Sequence, residues 1–446
     1  MKKVVTNDPR LLAIQTLSRV KAGAYSNLQL NKTIKKHQLS ATDKAFLTTL
    51  VYGVIQHRMT LDYWLAPFLA GKKVDPWVKE LLYSALFQWQ YLDKVPKHAV
   101  FNESIQAAKT LGHVGVAKFV TAVLHKIDRE GLPDLDQIQD SVERQAVAAS
   151  VPVWLVQALV DQVGLAKTTS ILKAINQAPH QSVRVNTAKA SDQQVYDSLV
   201  QEGYQVSPSP VADHALVVTG GGLVANSQAF LQGWLTIQDE SAMLPVESLR
   251  LNDQVHSVLD AAAAPGGKTT QIAEHLSGQA QVTAIDIHDH KIKLIQDNAA
   301  RLGLADRVVA KKMDARQLAD GTTVYDRILV DAPCSGLGLL RRKPEIRYEK
   351  QPDDIAHLAQ LQTAILDSAS KRLAKGGIMV YSTCTILSQE NDQVVATFLK
   401  NHDDFELIPT ETAKGLTDAQ GRETLHLYPD DYQTDGFFVA TLRRRE

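Results

Sequence analysis

At 446 residues the chain is longer than one compact core usually organises, and two or three domains are expected. With 44% hydrophobic and 22% charged residues the composition is that of a soluble globular protein; no apolar run is long enough to span a bilayer, and the N-terminus, MKKVVTNDPR, lacks the apolar stretch of a secretory signal, so a cytoplasmic location is expected. The formal net charge of -1 hides an asymmetry: residues 1–126 hold 18 Lys and Arg against 7 Asp and Glu, which leaves 30 basic and 42 acidic residues for 127–446, about +11 followed by about -12. A basic front segment suits a polyanion partner, because neutralised phosphates release counterions; a merely soluble basic surface is the plain alternative.

Residues 1–130 are poor in glycine and carry apolar residues at helical intervals, such as Leu11, Ile14, Leu17 and Val20. Ser40 and Asp43 resemble a capping box, and Phe46, Leu47, Leu50, Val51, Val54 and Ile55 then form one apolar stripe that packs a core. Lys32, Lys35, Lys36, Lys44 and Arg58 fall on the polar faces around it, open either to solvent or to RNA phosphate. Leu132-Pro133-Asp134-Leu135-Asp136 has the composition of a linker. A helix is expected over Pro152 to Val163, a strand over Ser182–Asn186 and a tight turn at Gly220-Gly221-Gly222, so that 150–245 forms a small α+β subdomain whose pattern carries no functional signal.

From residue 246 to 446 short apolar strands alternate with helices, which implies an α/β, Rossmann-like domain built on a parallel sheet. The candidate strands are Val255–Asp260, Gln281–Asp286, Val308–Lys311, Tyr325–Asp331, Gly377–Ser382 and Gly436–Leu442. Ligands of such sheets sit beyond the carboxyl ends of the strands, so the residues there carry the functional signal.

The first of these strands runs into Ala261-Ala262-Ala263-Ala264-Pro265-Gly266-Gly267-Lys268-Thr269, small residues that let backbone approach a ligand. Twenty residues after Gly266 the second strand ends in Asp286, where a carboxylate accepts from ribose hydroxyls; Asp314 follows the third strand and Asp331 ends the fourth. This spacing suits a nucleoside-containing cofactor. Two readings compete for the loop. Gly267-Lys268-Thr269 and Ile328-Leu329-Val330-Asp331 look like parts of a P-loop NTPase acting on RNA, but that motif requires glycine where the chain has Ala262, and Gly-x-Gly-x-x-Gly is absent too. A methyl-donor site is the other reading.

Only two cysteines occur, too few for a disulfide framework and wrongly spaced for zinc, and the fourteen histidines show no ligand spacing beyond the neighbours His288 and His290; no metal site is expected. Isolated thiols are usually inert core residues. Cys334 and Cys384, however, lie among polar residues directly after the fourth and fifth strands, in Asp331-Ala332-Pro333-Cys334-Ser335-Gly336 and Tyr381-Ser382-Thr383-Cys384-Thr385, so both could face one pocket and act in chemistry.

Together Asp260 through Thr269, Asp331 through Gly336, Ser382-Thr383-Cys384 and the closing Thr434-Asp435-Gly436-Phe437-Phe438 resemble the RNA 5-methylcytosine methyltransferases of the Sun type. With a basic helical front end that resembles a NusB-type RNA-binding domain over 1–130, the chain is most similar to the RsmB (Sun/Fmu) family, which modifies 16S rRNA. The resemblance covers essentially the whole chain. It departs at Ala262, where the family commonly has cysteine, and matches the family's two working thiols at Cys334 and Cys384.

The resemblance implies S-adenosyl-L-methionine as methyl donor and 16S rRNA, naked or in an assembling small subunit, as partner, with neither a membrane nor an obligate protein partner in view. It implies Cys384 as the nucleophile that adds to carbon 6 of cytosine, Cys334 as the group that assists release, and Asp331 as a contact to the ring that favours protonation of its nitrogen; a turn or cap residue is the plain reading of Asp331. Ala262, Ala263, Ala264, Pro265, Gly266, Gly267, Lys268, Asp286, Asp314 and Asp331 are the expected donor contacts. Lys268 could lower a thiol pKa, touch the donor or be a solvated helix-start residue. Gly338-Leu339-Leu340-Arg341-Arg342-Lys343-Pro344 could grip the substrate backbone or be surface charge, and the target base must leave its stack to reach a pocketed thiol. A noncatalytic RNA-binding assembly factor on a methyltransferase fold is the remaining alternative.

Overall fold

Polar caps and apolar faces at helical spacing shape the first of two units, Met1–Leu172, in a computed structural model that describes every residue except Lys3 and Tyr25. Among its helices are Pro9–Lys21, Ala41–Gln56, Arg58–Leu69, Pro76–Tyr91, Lys97–Leu111 and Val114–Glu130. Ser40 Oγ accepts from the Asp43 amide at 3.1 Å, and the reciprocal bond of the expected box is replaced by one from the Ser40 hydroxyl to the Asp43 carboxylate at 2.7 Å. Leu47, Leu50, Val51 and Val54 are fully buried, while Phe46 is half-buried under the Arg10 guanidinium at 4.8 Å. A side chain at Gly53 would strike the Phe87 ring, so only glycine admits that close packing. Arg58 is bound to the fold: its guanidinium makes paired bonds of 2.7 and 3.0 Å to buried Glu80. The Pro-Asp stretch passes into a 3₁₀ turn at Leu135–Gln137, and the helix expected to end near Val163 continues as Val153–Ala174 across a break at Gly164, where φ is 78°. Among the described residues no single helix is long and apolar enough to cross a membrane.

The second unit, Lys173–Glu446, opens with four strands, β1 (Gln181–Val185), β2 (Tyr204–Pro208), β3 (Ala215–Gly220) and β4 (Leu235–Ile237), paired antiparallel in the order β2-β3-β1-β4. Strand alternation turns Val183 and Val185 into a core with Val195 and Leu199. It leaves Arg184, on the other face, to bond Glu274, Thr270 and the Gly267 carbonyl at 2.7–3.1 Å, with a further bond to Gln238.

A larger sheet follows, built from β5 (Ser257–Asp260), β6 (Gln281–Asp286), β7 (Val308–Lys312), β8 (Tyr325–Asp331), β9 (Leu373–Thr383), β10 (Phe405–Ile408), β11 (Leu425–Leu427) and β12 (Phe437–Arg444). Its order is β10-β12-β9-β8-β5-β6-β7, with β11 paired to β12. Neighbouring residues of each strand face opposite cores. Val258, Val282, Leu329 and Val380 pack with Ile272 and Leu302 on one side; Leu259, Ile285, Val330 and Tyr381 pack with Ile365, Leu366 and Phe398 on the other. Both faces are therefore covered, as a doubly wound sheet requires.

Strands β5 to β9 pair parallel, as the sequence suggests, but the sheet is mixed rather than wholly parallel. The last strand runs antiparallel to β9, and β10 and β11, which the apolar pattern did not single out, pair antiparallel to it in turn. After helix Asp392–Asn401 the chain makes short strands instead of another full crossover, so it enters β12 from the opposite end. The strand order reverses between β5 and β8, which places a ligand crevice beyond Asp260 and Asp331.

Because Arg184 and Glu274 are both buried, Arg184→Ala should leave a buried carboxylate unpaired and cost about 3–5 kcal/mol. Amide hydrogen exchange should show faster opening of helix Gly267–His275 in the variant, with the helices of the first unit unaffected.

Candidate active site

The β8–β9 register sets Asp331 opposite Ser382, so the chain segments that follow these two strands leave the sheet side by side. The Ala332 amide donates to the Ser382 carbonyl at 2.9 Å, and the Gly338 amide to the Cys384 carbonyl at 2.9 Å. Gly338 has no room for a side chain: a Cβ would meet the Gly436 carbonyl oxygen at 2.0 Å and that of Cys384 at 2.8 Å. This backbone lacing brings Cys334 Sγ to 3.3 Å from Cys384 Sγ, both thiols free and partly exposed. The hydrogen bond to Cys384 and burial together push the Cys334 thiol well above its ordinary range, and negative charge at Cys384 and Glu390 adds to the shift.

Asp331 is held from two sides. Its Oδ1 accepts from Ser382 Oγ at 2.9 Å and its Oδ2 from Lys268 Nζ at 2.7 Å, while the Lys268 ammonium lies 5.0 Å from the centre of the Phe437 ring. Burial works against the charge on Lys268, but Asp331, Cys384 and Asp260 outweigh it and hold the ammonium above its ordinary pKa. Lys268 is thus neither a solvated helix-start residue nor free for a phosphate. Asp331 is no turn cap but the hub of this pair.

A cleft of about 480 Å³ opens at these strand ends, lined by Ala262, Ala264, Asp286, Asp314, Asp331, Cys334 and Cys384 among others. Asp286 lies 3.5 Å from Lys291 Nζ, and Asp314 is clasped by Arg316 with bonds of 2.6 to 3.1 Å, which hold its carboxyl below the usual range. Ala263, Pro265, Gly266, Gly267 and Lys268 do not line the cleft. Ala263 packs into the small core around Ala284 and Ile295, the Pro265 carbonyl accepts from Asn298, and the Gly267 carbonyl accepts from Arg184. They build the wall behind the loop. His288 stands at the rim, stacked on His290 with ring centres 5.5 Å apart.

The basic loop is corrected more sharply. Arg341 is buried and donates to the carbonyls of Pro429, Gln433 and Thr434; Arg342 bridges Asp239 at 2.7 Å and Asp435 at 2.8–2.9 Å. Main-chain carbonyls and carboxylates thus occupy both guanidinium groups, so neither is a free surface charge nor available to RNA phosphate. Two residues that shape the site were missed. Arg184 braces the helix that begins at Gly267, and nothing in a short β-strand announces a partner 90 residues away. Glu390, fully buried, binds the loops of both cysteines; in Ser388-Gln389-Glu390-Asn391 it has the look of ordinary helix-start polarity.

Comparison with known proteins decides the family. Over all of both chains, this sequence is 41% identical to a protein of Bacillus subtilis named probable ribosomal RNA small subunit methyltransferase B. The chain belongs to the RsmB/F family of 16S rRNA methyltransferases. The family's catalytic model, 16S rRNA methyltransferase RsmB/F, matches residues 247–443; a NusB family model matches 7–129 and an RsmF/B-like ferredoxin-like domain 151–225. Among solved structures, that of PH0851 superposes over 100% of both chains with a TM-score of 0.83 at 26% identity. A methyltransferase homolog protein from Pyrococcus horikoshii covers 69% of this chain and all of its own, with a TM-score of 0.60 at 28% identity. As an RsmB/F-family enzyme the protein methylates 16S rRNA, and its family implies S-adenosylmethionine as donor.

One carboxyl behind the RsmB/F cleft gives a pH prediction. Asp260 is buried, with Oδ2 accepting from Thr269 at 2.6 Å and Oδ1 unbonded; burial, reinforced by Asp331, pushes it up to about 7 against the opposing pull of Thr269 and Lys268. Its folded value lies above the ordinary 3.8, so its support for the fold is complete below that pH and is lost as pH rises through about 7. Asp260→Asn should remove a loss on the order of 2–4 kcal/mol. In thermal melts of the ligand-free protein, the variant's Tm relative to that of the wild type should rise between pH 5 and pH 7 and then level off.

Proposed function

We propose that this enzyme methylates carbon 5 of a cytosine through a covalent adduct to Cys384, in the cytoplasm, on 16S rRNA that is naked or within an assembling small subunit. The observation that carries this reading is the thiol pair at 3.3 Å beside the Lys268–Asp331 ion pair. Three parts share the work: a helical RNA-binding part at 1–130, a small α+β part at 150–245 and the catalytic part at 246–446.

The donor set of the cleft fits S-adenosylmethionine. Asp286 and Asp314 offer carboxylates suited to ribose and base, and Ala262 and Ala264 leave room beside them. Lys268 is already paired with Asp331 and not free for a phosphate, which argues against the NTPase reading. When bound, the donor supplies an electrophilic methyl group at carbon 5.

The protein's own residues do the rest. Carbon 5 of cytosine is a weak nucleophile, and addition of a thiolate to carbon 6 pushes electron density onto it. Cys384 is that thiolate, beside the Lys268 ammonium. Asp331 steadies a proton on the ring nitrogen as charge develops. Release requires that the hydrogen at carbon 5 leave as a proton to solvent. Its electron pair re-forms the carbon 5–carbon 6 double bond, and the carbon–sulfur pair returns to Cys384, which accepts the Cys334 S–H hydrogen bond.

Cys384→Ala should abolish methylation and adduct formation, and Cys334→Ala should accumulate an enzyme–RNA adduct stable on denaturing gels. Methylation by Cys384→Ala would show that another group is the nucleophile. Titration calorimetry should detect binding of S-adenosylmethionine and none of ATP; the opposite result would support the NTPase, and binding of neither a noncatalytic assembly factor.

A further inference from the structure

A fully buried carboxyl group, that of Glu390, bonds the residues next to the two thiols. Glu390 is fully buried in the turn between β9 and helix Asp392–Asn401. Its Oε1 accepts from the Ser335 amide at 2.8 Å and from Gln362 Nε2 at 3.0 Å; its Oε2 accepts from Ser335 Oγ at 2.5 Å and Thr385 Oγ1 at 3.1 Å. Ser335 and Thr385 are the residues next to Cys334 and Cys384, and their hydroxyls lie 2.8 Å apart. The turn itself is pinned by Tyr381 Oη donating to the Glu390 carbonyl at 2.6 Å and by Asn391 donating to the Thr385 carbonyl at 3.2 Å. Two of the four partners, an amide N–H and a side-chain NH₂, can only donate, so Oε1 is an acceptor.

Burying a carboxylate costs several kcal/mol unless donors of this kind compensate it, and an apolar side chain would fill the same space at less cost. What an apolar residue could not supply is one group that bonds both cysteine loops and places a negative charge behind them. We propose that Glu390 is a positioning residue that fixes the two cysteine loops relative to each other and keeps the proton of the thiol pair on Cys334, leaving Cys384 as the nucleophile. This rests on the reading of the two cysteines as the reacting pair. A buried negative charge disfavours a second one close by; Glu390 makes two bonds to Ser335, beside Cys334, and one to Thr385, beside Cys384, and the raised pKa of Cys334 agrees in direction. The S–H of Cys334 then points at the sulfur that must depart at the end of the reaction.

The test is the pH dependence of iodoacetamide alkylation at each cysteine, resolved by peptide mass spectrometry on the full-length enzyme, with kcat and KM measured alongside. In the wild type Cys384 should react at lower pH than Cys334. Glu390→Gln keeps the shape and removes the charge; the alkylation midpoint of Cys334 should fall by about one pH unit or more. In the same variant kcat should drop on the order of tenfold or more, with KM for the methyl donor little changed. A folded Glu390→Gln enzyme with wild-type alkylation profiles and kcat would overturn the proposal. If that variant does not fold, Thr385→Val keeps the charge and cuts one of its holds; it should lower kcat while the Cys334 midpoint stays high, and unchanged kcat would overturn the positioning role. Methylation by Cys384→Ala would instead remove the reading beneath, a different outcome from either of these.

Discussion

The parallel pairing of β8 with β9 governs this active site. Its register places Asp331 against Ser382, so the polar segments beyond each strand emerge together and both thiols face the crevice where strand order reverses. Shifting one of these strands by a single residue would turn its side chains to the other face and separate the sulfurs. The pairing is guarded accordingly. Tyr381, Val380 and Met379 are completely buried, and Gly338 closes against the backbones of Cys384 and Gly436 at distances no other residue tolerates.

Charge is arranged around that register. Asp260 is buried, Lys268 and Asp331 neutralise each other beside it, and the two sulfurs and the fully buried Glu390 complete the group. Each carboxylate that lines the cleft has a cationic partner: Lys291 for Asp286, Arg316 for Asp314 and Lys268 for Asp331. Beside the thiols, the Lys268 ammonium lies between Asp331 and the Phe437 ring. Arg341 and Arg342 are spent internally, the first on the carbonyls of Pro429, Gln433 and Thr434 and the second on the carboxylates of Asp239 and Asp435.

The ferredoxin-like part acquires a structural purpose from the same geometry. Strand alternation splits β1 between two tasks: Val183 and Val185 fill their own core while Arg184 crosses to helix Gly267–His275, whose first turn carries the small-residue loop of the cleft. The small sheet joins the catalytic part through the Arg184–Glu274 ion pair, through bonds from Asn186 to the Leu302 carbonyl and from Arg301 to the Phe230 and Leu235 carbonyls, and through an apolar cluster in which Val211, Ala212 and Ala215 pack with Ile272 and Ala273.

Much of this was legible in the sequence wherever the cause is local. Helix caps such as Ser40, the strands Gln281–Asp286 and Tyr325–Asp331, and the polar strand ends with Asp286, Asp314, Asp331, Cys334 and Cys384 follow from periodicities of two and 3.6 and from the rule that ligands sit at carboxyl ends. What only the tertiary structure decided involves partners far apart in the chain. The antiparallel return of β12, the burial of Arg341 and Arg342, the contribution of Arg184 and the grip of Glu390 on two loops 50 residues apart leave no trace in local pattern. A short polar segment reads the same whether it meets solvent or a buried partner. Hydrogen-bond satisfaction in the packed interior, not propensity, chooses between them.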